Sequence, residues 1–291
     1  LQIHLTDPTA SRLDPMVQAC NDLIAFMFSG GGEAYQEAVM RFDKISAAWA
    51  NYRNGMVATD IHSDDHMFNN HARLDDYEIV GESGLQTVLS ALAISRKQTV
   101  YRIMDFGCGH GRVARYLRAA FPGAEMWCAD IDPDAVAFCA RTFDAHGVQS
   151  TPDFNDLDLP AGLDVIWVGS VFTHLDMARM EVLFDRLFGA LGRGGLLIAT
   201  FHGQYFYETT KKDPKKSVTY ADLLRGYESE GYAYMPYPHK TAQIGMDDWG
   251  VSATRYDQIF KLGQRHENSQ MTLFSEQGWS NFHDVAAWIK R

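Results

Sequence analysis

The chain has 291 residues and a formal net charge of −11, so it is long enough for one large domain or one domain with substantial additions. A balance this negative excludes nucleic acid as the expected partner, because non-specific affinity for a phosphate backbone depends on basic surface. The sequence has no apolar run of about 18 residues and no N-terminal signal pattern, so we expect a cytoplasmic protein with no membrane partner.

Helical patterns occupy much of the first quarter of the chain, at 14–28 and 33–49. We predict that residues 1–76 form an N-terminal helical cap that packs over the C-terminal edge of a sheet in the remaining chain. The main domain would then span 77–291, with an insertion at 203–252.

A polar segment at the end of this cap has three histidines with acids between them. His62, His66 and His71, with Asp64 and Asp65, are candidate metal ligands, since histidines four residues apart on a helix bind metal in known sites. The segment lacks a clean four-ligand spacing. We therefore favour polar loop residues, some of them facing a substrate, and predict no metal site.

The most informative stretch of the sequence is 103–111, an apolar strand that leads into three glycines. Asp105 lies at the end of the strand, and Gly107, Gly109 and Gly111 follow at alternate positions before an amphipathic helical pattern. Glycines allow the backbone to turn sharply and a ligand to approach the main chain. This pattern predicts a nucleotide-type cofactor site, although a tight turn that uses glycine for steric reasons alone is the alternative.

The glycine spacing indicates which cofactor binds. A dinucleotide site prefers G-x-G-x-x-G, and its third glycine would fall on Arg112, which argues against a nucleotide-dependent oxidoreductase. An acid before the loop, at Asp105, suits a ligand with an ammonium group better than a pyrophosphate. S-adenosylmethionine is such a ligand, and Cys108 between the first two glycines is predicted to line its site.

A second apolar strand, at 125–130, ends in a carboxylate. Asp130 lies 19 residues after Gly111 and is followed by Ile131. A carboxylate at this position accepts hydrogen bonds from ribose hydroxyls in many doubly wound nucleotide sites. Asp132 and Pro133 then predict the start of a helix with Val136, Cys139, Ala140 and Phe143 on its buried face.

With these residues the chain resembles the class I S-adenosylmethionine-dependent methyltransferases, closely over about 77–202 and loosely over 253–291. The resemblance implies an α/β fold with a Rossmann-like, doubly wound, seven-stranded sheet and a C-terminal antiparallel hairpin. It implies later strands at 148–151, 164–169 and 196–201, a Gly-Arg-Gly-Gly turn at 192–195, a helix at 253–262, and hairpin strands at 271–275 and 282–289.

The same resemblance implies further cofactor contacts. Tyr77 and Gly81 lie in a segment that often touches the methionine end of the cofactor in the family. Ser170 begins the loop after the fourth strand, and Asn155, with Asp156 as the fallback, is similar to the position that accepts the adenine amino group.

Two histidines are the candidate catalytic bases. His174 follows the fourth strand and His202 follows the fifth, so both should emerge where the methyl group lies, and histidine has a suitable pKa for accepting a hydroxyl proton. The aromatic residues of 203–252, among them Tyr237 and Trp249, either form the core of a small subdomain or line an acceptor pocket.

These features predict an S-adenosylmethionine-dependent methyltransferase that acts on a small-molecule or carbohydrate acceptor, with O-methylation expected. The alternatives are a cofactor-binding protein on the same fold without methyl transfer, and a nucleotide-dependent oxidoreductase. Four cysteines without C-x-x-C spacing, Cys20, Cys108, Cys128 and Cys139, are expected to be reduced core thiols.

Overall fold

The structure is a computed structural model that describes residues 45–69, 74–95, 97, 99–237 and 249–291. Residues 45–54 are helical, as predicted for the end of the second N-terminal helix. The predicted helix at 14–28, most of the helix at 33–49, and the residues His71 and Cys20 lie outside the described residues.

A seven-stranded sheet forms the centre of the molecule, with strand order β3-β2-β1-β4-β5-β9-β8. Strands β1 to β5 are parallel, and β9 pairs antiparallel with both β5 and β8. This arrangement confirms the predicted doubly wound sheet with a C-terminal hairpin. The strands are β1 Arg102–Phe106, β2 Glu125–Asp130, β3 His146–Gln149, β4 Leu163–Val168, β5 Leu191–Phe201, β8 Ser269–Trp279 and β9 His283–Lys290.

Helices cover both faces of this sheet, and successive strand residues alternate between the two layers. Ile103 of β1 packs in one core cluster with helices α2, α3 and α4, whereas Met104 packs in the other with α5 and α9. Burial on both faces explains why the strands are continuously apolar. Besides the helical residues 45–54, the helices in the described residues are α1 His66–Asn69, α2 Leu74–Ser95, α3 Ala114–Ala120, α4 Pro133–Thr142, α5 Met177–Ala190, α6 Gln204–Lys212, α7 Pro214–Thr219, α8 Ala221–Glu230 and α9 Tyr256–Gly263.

Helix α4 begins where the sequence predicts, but its buried face is different. Asp132 caps the helix by accepting a hydrogen bond from the Asp134 backbone N–H. Ala135 and Phe138 are buried, together with the predicted Cys139 and Phe143. The predicted Val136 and Ala140 are only partly buried, because this side of α4 lies over Gly147 of the edge strand β3, where the sheet ends.

Four predicted boundaries are wrong, and one of them is that of the first hairpin strand, which is β8 Ser269–Trp279 rather than 271–275. Strand β3 is His146–Gln149 rather than 148–151, and the predicted turn at 192–195 lies within β5, where a bulge places Leu191 opposite Leu163 and Leu196 opposite Val165. The predicted helix at 253–262 starts later, at Tyr256, because its first residues belong to a strand, β7 Gly250–Thr254, that pairs antiparallel with β6 Tyr232–Pro236.

The segment after β5 forms a small layer with its own core. Tyr207 of α6 stacks on Tyr227 of α8 with ring centroids 4.8 Å apart, and both pack with Leu223, Val251 and Ala253.

The predicted domain boundary at 76/77 falls in the first turn of α2. Among the described helices, none has the length and apolar character needed to cross a membrane.

Candidate functional site

A cavity of about 780 Å³ opens at the carboxyl ends of β1, β2 and β4, the edge at which doubly wound sheets bind their ligands. It brings together eight of the fourteen predicted site residues. These are Asp105, Gly107, Cys108, Gly109, Asp130, Ile131, Ser170 and His174.

The glycine loop after β1 forms the floor of this cavity. The loop is attached to β2, since the backbone N–H groups of Gly107 and Cys108 both donate to the Ala129 carbonyl, at 2.8 and 3.0 Å. Gly109 has a positive φ of 50°, and a Cβ on it would meet no atom within 4 Å. A Cβ on Gly107 (φ 76°) would instead lie 2.3 Å from Val171 Cγ2. Gly109 therefore leaves open space for a ligand, whereas Gly107 is required by packing.

The side chain of Asp130 is oriented by two backbone N–H groups, one for each carboxylate oxygen. Its Oδ2 accepts from Gly109 N at 2.7 Å and its Oδ1 accepts from Asp132 N at 3.0 Å. Burial raises the pKa of Asp130, and these two hydrogen bonds act to lower it. Each carboxylate oxygen keeps a further lone pair for a ligand hydroxyl.

Asp105 has an unsatisfied oxygen at the base of the cavity. Its Oδ2 is buried and has no hydrogen-bond partner among the described residues. Burial raises the pKa of Asp105 well above its ordinary value, and Cys139 and Asp130 raise it further. A ligand ammonium group would satisfy this oxygen and favour the ionised carboxylate, so the donor set fits the predicted cofactor.

Ser170 has a left-handed backbone, with φ of 59°, which is costly for a residue other than glycine. The conformation is held by a hydrogen bond from Ser170 N to Thr200 Oγ1 at 2.8 Å. Since Ser170 lines the cavity directly after β4, this geometry shapes the cavity wall.

Three predicted residues lie behind the cavity wall instead of on it. Tyr77 donates its hydroxyl to Asp65 Oδ2 at 2.6 Å. A Cβ on Gly81 would come within 2.3 Å of the Arg112 carbonyl oxygen, and one on Gly111 within 2.1 Å of the Phe143 ring. In all three cases the environment is that of packing between secondary-structure elements.

Asn155 and Asp156 also do not line the cavity. They lie in a short 3₁₀ helix, Phe154–Asp156, and both side chains are exposed. The Asn155 side chain donates to Asp153 Oδ1 at 2.8 Å.

His174 lies on the cavity wall and has a defined tautomer. Its Nδ1 is 2.9 Å from the Gly250 carbonyl oxygen and 3.0 Å from Tyr237 Oη. Because a carbonyl oxygen only accepts, Nδ1 carries the proton and Nε2 keeps its lone pair. Burial lowers the pKa of His174, so the ring is neutral at pH 7. A neutral imidazole with a free Nε2 can accept a proton.

His202 has the same tautomer but does not line the cavity. Its Nδ1 is 3.1 Å from the Ser252 carbonyl oxygen, and its ring stacks between Phe206 and His283, at centroid distances of 4.1 and 5.2 Å. Burial lowers the pKa of His202 well below its ordinary value, and the neighbouring His283 and His174 lower it further.

The cavity also includes residues that the sequence does not predict for it, His283 and His110. His283 of β9 has a buried Nδ1 without a hydrogen-bond partner among the described residues, and burial lowers its pKa to about 3. His110 lies within the glycine motif, which was the available signal for it. His283 had no such signal, since about 80 residues separate it from His202.

Aromatic rings line one side of the cavity, around His174. Trp249 stacks on His174 with centroids 5.4 Å apart, and Tyr237 and Phe282 are close by on the wall. Within the aromatic insertion, Tyr207 and Tyr227 thus form a core, whereas Tyr237 and Trp249 lie on the cavity wall.

Part of the polar segment at 60–71 also reaches the cavity. Asp65 and His66 line it, and Asp65 Oδ1 caps α1 by accepting from Met67 N at 2.9 Å. His62 stacks on His110 at 4.5 Å. In the described part of this segment, the histidines and acids form no cluster of three ligand atoms suited to a metal.

Comparison with known proteins adds a family to this geometry. Residues 104–197 match the family described as a methyltransferase domain. Trans-aconitate 2-methyltransferase of Mycobacterium tuberculosis is 27% identical over 185 residues, which cover 62% of this chain and 63% of the relative. The fatty-acid O-methyltransferase of Mycolicibacterium smegmatis is 30% identical over 101 residues, 34% of this chain and 36% of the relative. The chain thus spans less than two thirds of these relatives.

Solved structures share the fold. An S-adenosylmethionine-dependent methyltransferase from Clostridium acetobutylicum superposes with a TM-score of 0.51 at 11% identity, covering 77% of this chain and 97% of that one. A putative O-methyltransferase from Nostoc punctiforme has a TM-score of 0.51 at 14% identity, covering 87% and 70%. Residues 104–197 thus match a methyltransferase domain, and the sheet order and the glycine loop that frame them support a class I S-adenosylmethionine-dependent methyltransferase.

Proposed function

We propose that the protein transfers the methyl group of S-adenosylmethionine to an oxygen atom of a small-molecule acceptor. The observation that supports this most directly is that Gly109, Asp130 and His174 line one continuous cavity. A cofactor-binding loop and a neutral base within one cavity are the minimum that methyl transfer to a hydroxyl requires.

The cofactor supplies an electrophilic methyl group on a sulfonium centre. Asp130 accepts hydrogen bonds from the ribose hydroxyls, because its carboxylate is already aligned by Gly109 N and Asp132 N. The unpartnered oxygen of Asp105 binds the ammonium group. The remaining contacts come from the wall residues Gly107, Cys108, Ile131 and Ser170.

The other predicted cofactor residues do not line the cavity. Asn155 and Asp156 remain proposed contacts of the adenine, although both are outside the cavity lining. We assign Tyr77, Gly81 and Gly111 an indirect role, which is to hold the wall behind the cofactor through the packing described above.

On the acceptor side, we propose His174 as the group that accepts the hydroxyl proton at Nε2. His202 is the second candidate; its ring is buried behind the wall, so we assign it to the positioning of its neighbours. Tyr237, Trp249 and Phe282 offer flat surfaces that exclude water and hold the acceptor.

Two observations bear on the class of the acceptor: the acceptors named for the two relatives, and the residues on the cavity wall. Trans-aconitate and fatty acids, the acceptors in the names of the two relatives, are small molecules with carboxyl groups. A carboxylate is therefore a second candidate acceptor, favoured by Arg112, whose guanidinium lies over Trp279 on the wall. A carboxylate needs no base, so its methylation would not depend on His174. Sugars remain a third candidate class.

A labelled-methyl assay tests the proposal. Protein and S-adenosylmethionine with a radiolabelled methyl group are incubated with hydroxyl, phenol, sugar, carboxylic acid and amine panels. Label should enter an oxygen of a hydroxyl or carboxyl compound. Transfer only to amines would refute O-methylation, and no transfer despite cofactor binding would favour the binding-protein alternative.

Calorimetry separates the cofactor alternatives. Titration with S-adenosylhomocysteine should show one site per chain, whereas titration with NAD should show none. Binding of NAD alone would favour the oxidoreductase. The cytoplasmic location and the absence of nucleic-acid and membrane partners remain predictions, which fractionation of cells would test.

A further inference from the structure

Three cysteines that are distant in the sequence meet beneath the glycine loop. Cys108 lies in the loop, Cys128 in β2 and Cys139 in α4. Their sulfur atoms all lie within 4.8 Å of one another, and the three thiols are free and buried. No other group of three potential metal-ligand side chains comes together in this way within the described residues.

The backbone holds this thiol cluster in place. Cys108 N donates to the carbonyl of Ala129, the residue next to Cys128, so the loop and β2 are hydrogen-bonded at the cluster. The Cys139 thiol lies 3.3 Å from the Gly109 carbonyl oxygen, to which it donates. Cysteine has only one rotatable bond before its sulfur, so these anchors restrict where the three sulfur atoms can lie.

The spacing suits a metal ion bound by three sulfurs. A metal–sulfur distance of about 2.3 Å gives a sulfur–sulfur separation of about 4.0 Å in a planar three-coordinate site, which is compatible with the 4.8 Å limit on the observed separations. Thiolate ligands select soft ions such as copper(I). Structural zinc prefers four protein ligands, and the described residues bring only three to this cluster.

We propose that Cys108, Cys128 and Cys139 form a three-sulfur binding site for copper(I). The ion enters through the cavity, because Cys108 lines it. Binding forms three metal–sulfur bonds and releases the thiol protons to solvent, with no change in the oxidation state of sulfur or ion. The bound ion cross-links the glycine loop, β2 and α4.

The competing explanation is that the thiols only pack as small apolar groups. The test uses the full chain, reduced and kept free of oxygen, and titrates copper(I) against the chelator bicinchoninate. We expect one ion per chain. X-ray absorption on the loaded wild-type protein should find three sulfur ligands at about 2.3 Å, a measurement that does not depend on any variant.

Variants locate the site. Because loss of a second-shell partner alone typically weakens metal affinity by about 10- to 100-fold, Cys128→Ser and Cys139→Ala should each weaken it by at least about 100-fold. His146→Gln, which removes an exposed potential ligand outside the cluster, is the control and should bind like the wild type. Copper should also raise the melting temperature of the wild type and of this control.

Several results would overturn the proposal. These are no copper retained against the chelator, a coordination shell with fewer than three sulfurs, or unchanged binding in both cluster variants. If either variant fails to fold, the coordination shell of the wild-type protein still decides between a copper site and packing.

Discussion

His174 and His202 face each other edge to face, with ring centroids 6.4 Å apart, and each is held by a carbonyl of the same strand. The two carbonyls belong to Gly250 and Ser252, two residues apart on β7, so they lie on one edge of that strand. The Thr254 N–H extends the contact by donating to the His202 carbonyl at 2.8 Å. Strand β7, which follows the segment inserted after β5 and is not part of the seven-stranded sheet, thus sets the tautomer of both histidines.

Substitution of His174 tests which histidine is the base. If His174 accepts a hydroxyl proton, His174→Ala should lower kcat by about 10² to 10⁴ while cofactor affinity barely changes. Because burial lowers the pKa of His174, wild-type activity should rise through a pKa below about 6.5 and stay level above it. Steady-state kinetics across pH 5 to 8 measures both effects.

His202→Ala and the double variant are the comparisons for that experiment. We expect His202→Ala to lower the melting temperature and to reduce kcat less than His174→Ala does, since His202 is behind the wall. A larger loss of kcat in His202→Ala would make His202 the base. Near wild-type turnover in all three variants would exclude general-base catalysis by these residues.

Removal of the Asp130 carboxylate should weaken cofactor binding without loss of the fold. Asp130→Ala removes charge-assisted hydrogen bonds to the ribose, which we expect to cost about 1.5 to 3 kcal/mol of binding free energy. Calorimetry with S-adenosylhomocysteine measures this loss of binding free energy. Asp134→Ala, on an exposed position of α4 nearby, is the control. An unchanged dissociation constant in folded Asp130→Ala protein would rule out the ribose contact.

Substitution of a glycine in the loop should also abolish cofactor binding. Gly109→Val should abolish cofactor binding because its side chain enters the open space above the loop, with a backbone strain of about 1 to 2 kcal/mol at its positive φ. Gly194→Val is matched to it, since Gly194 also has a positive φ, of 73°, and a Cβ there also meets nothing within 4 Å, but Gly194 does not line the cavity. Gly107→Val should bind nothing and also unfold more easily, because of Val171. Normal binding by Gly109→Val would remove the loop from the site.

Buried histidines should make the protein acid-sensitive. The folded pKa of His283 is lowered to about 3 by burial, so below about pH 6.5 the unfolded chain takes up a proton that the native chain does not. The stability is present above pH 6.5 and is lost as the pH falls towards 3, by about 1.4 kcal/mol per pH unit for this residue.

Urea unfolding at pH 7.5, 6.5 and 5.5 measures that slope. His283→Gln should remove the contribution of one proton from the slope of the unfolding free energy against pH, whatever its effect on stability at pH 7.5. An identical slope in wild type and His283→Gln would contradict the burial argument.

How far the sequence predicts the site depends on whether the signal is local. Gly109 and Asp130 were assigned to the cofactor site because a backbone turn and a strand end are properties of a few consecutive residues. Val136 was assigned to the buried face of α4 incorrectly, since its exposure depends on where the sheet ends at β3. The later start of α9 at Tyr256 has a similar cause, because β7 takes residues 250–254 to pair with β6.

The sequence by itself determined β1, the glycine loop, β2 with Asp130 at its end and the helix cap at Asp132, because these follow from apolar periodicity and local backbone requirements. Only the tertiary structure decided that His174 lines the cavity while His202 lies behind it, that β7 sets their tautomers, and that three thiols meet under the loop. These facts depend on side-chain direction and on distances between remote segments, which sheet order and packing determine and which no local pattern encodes.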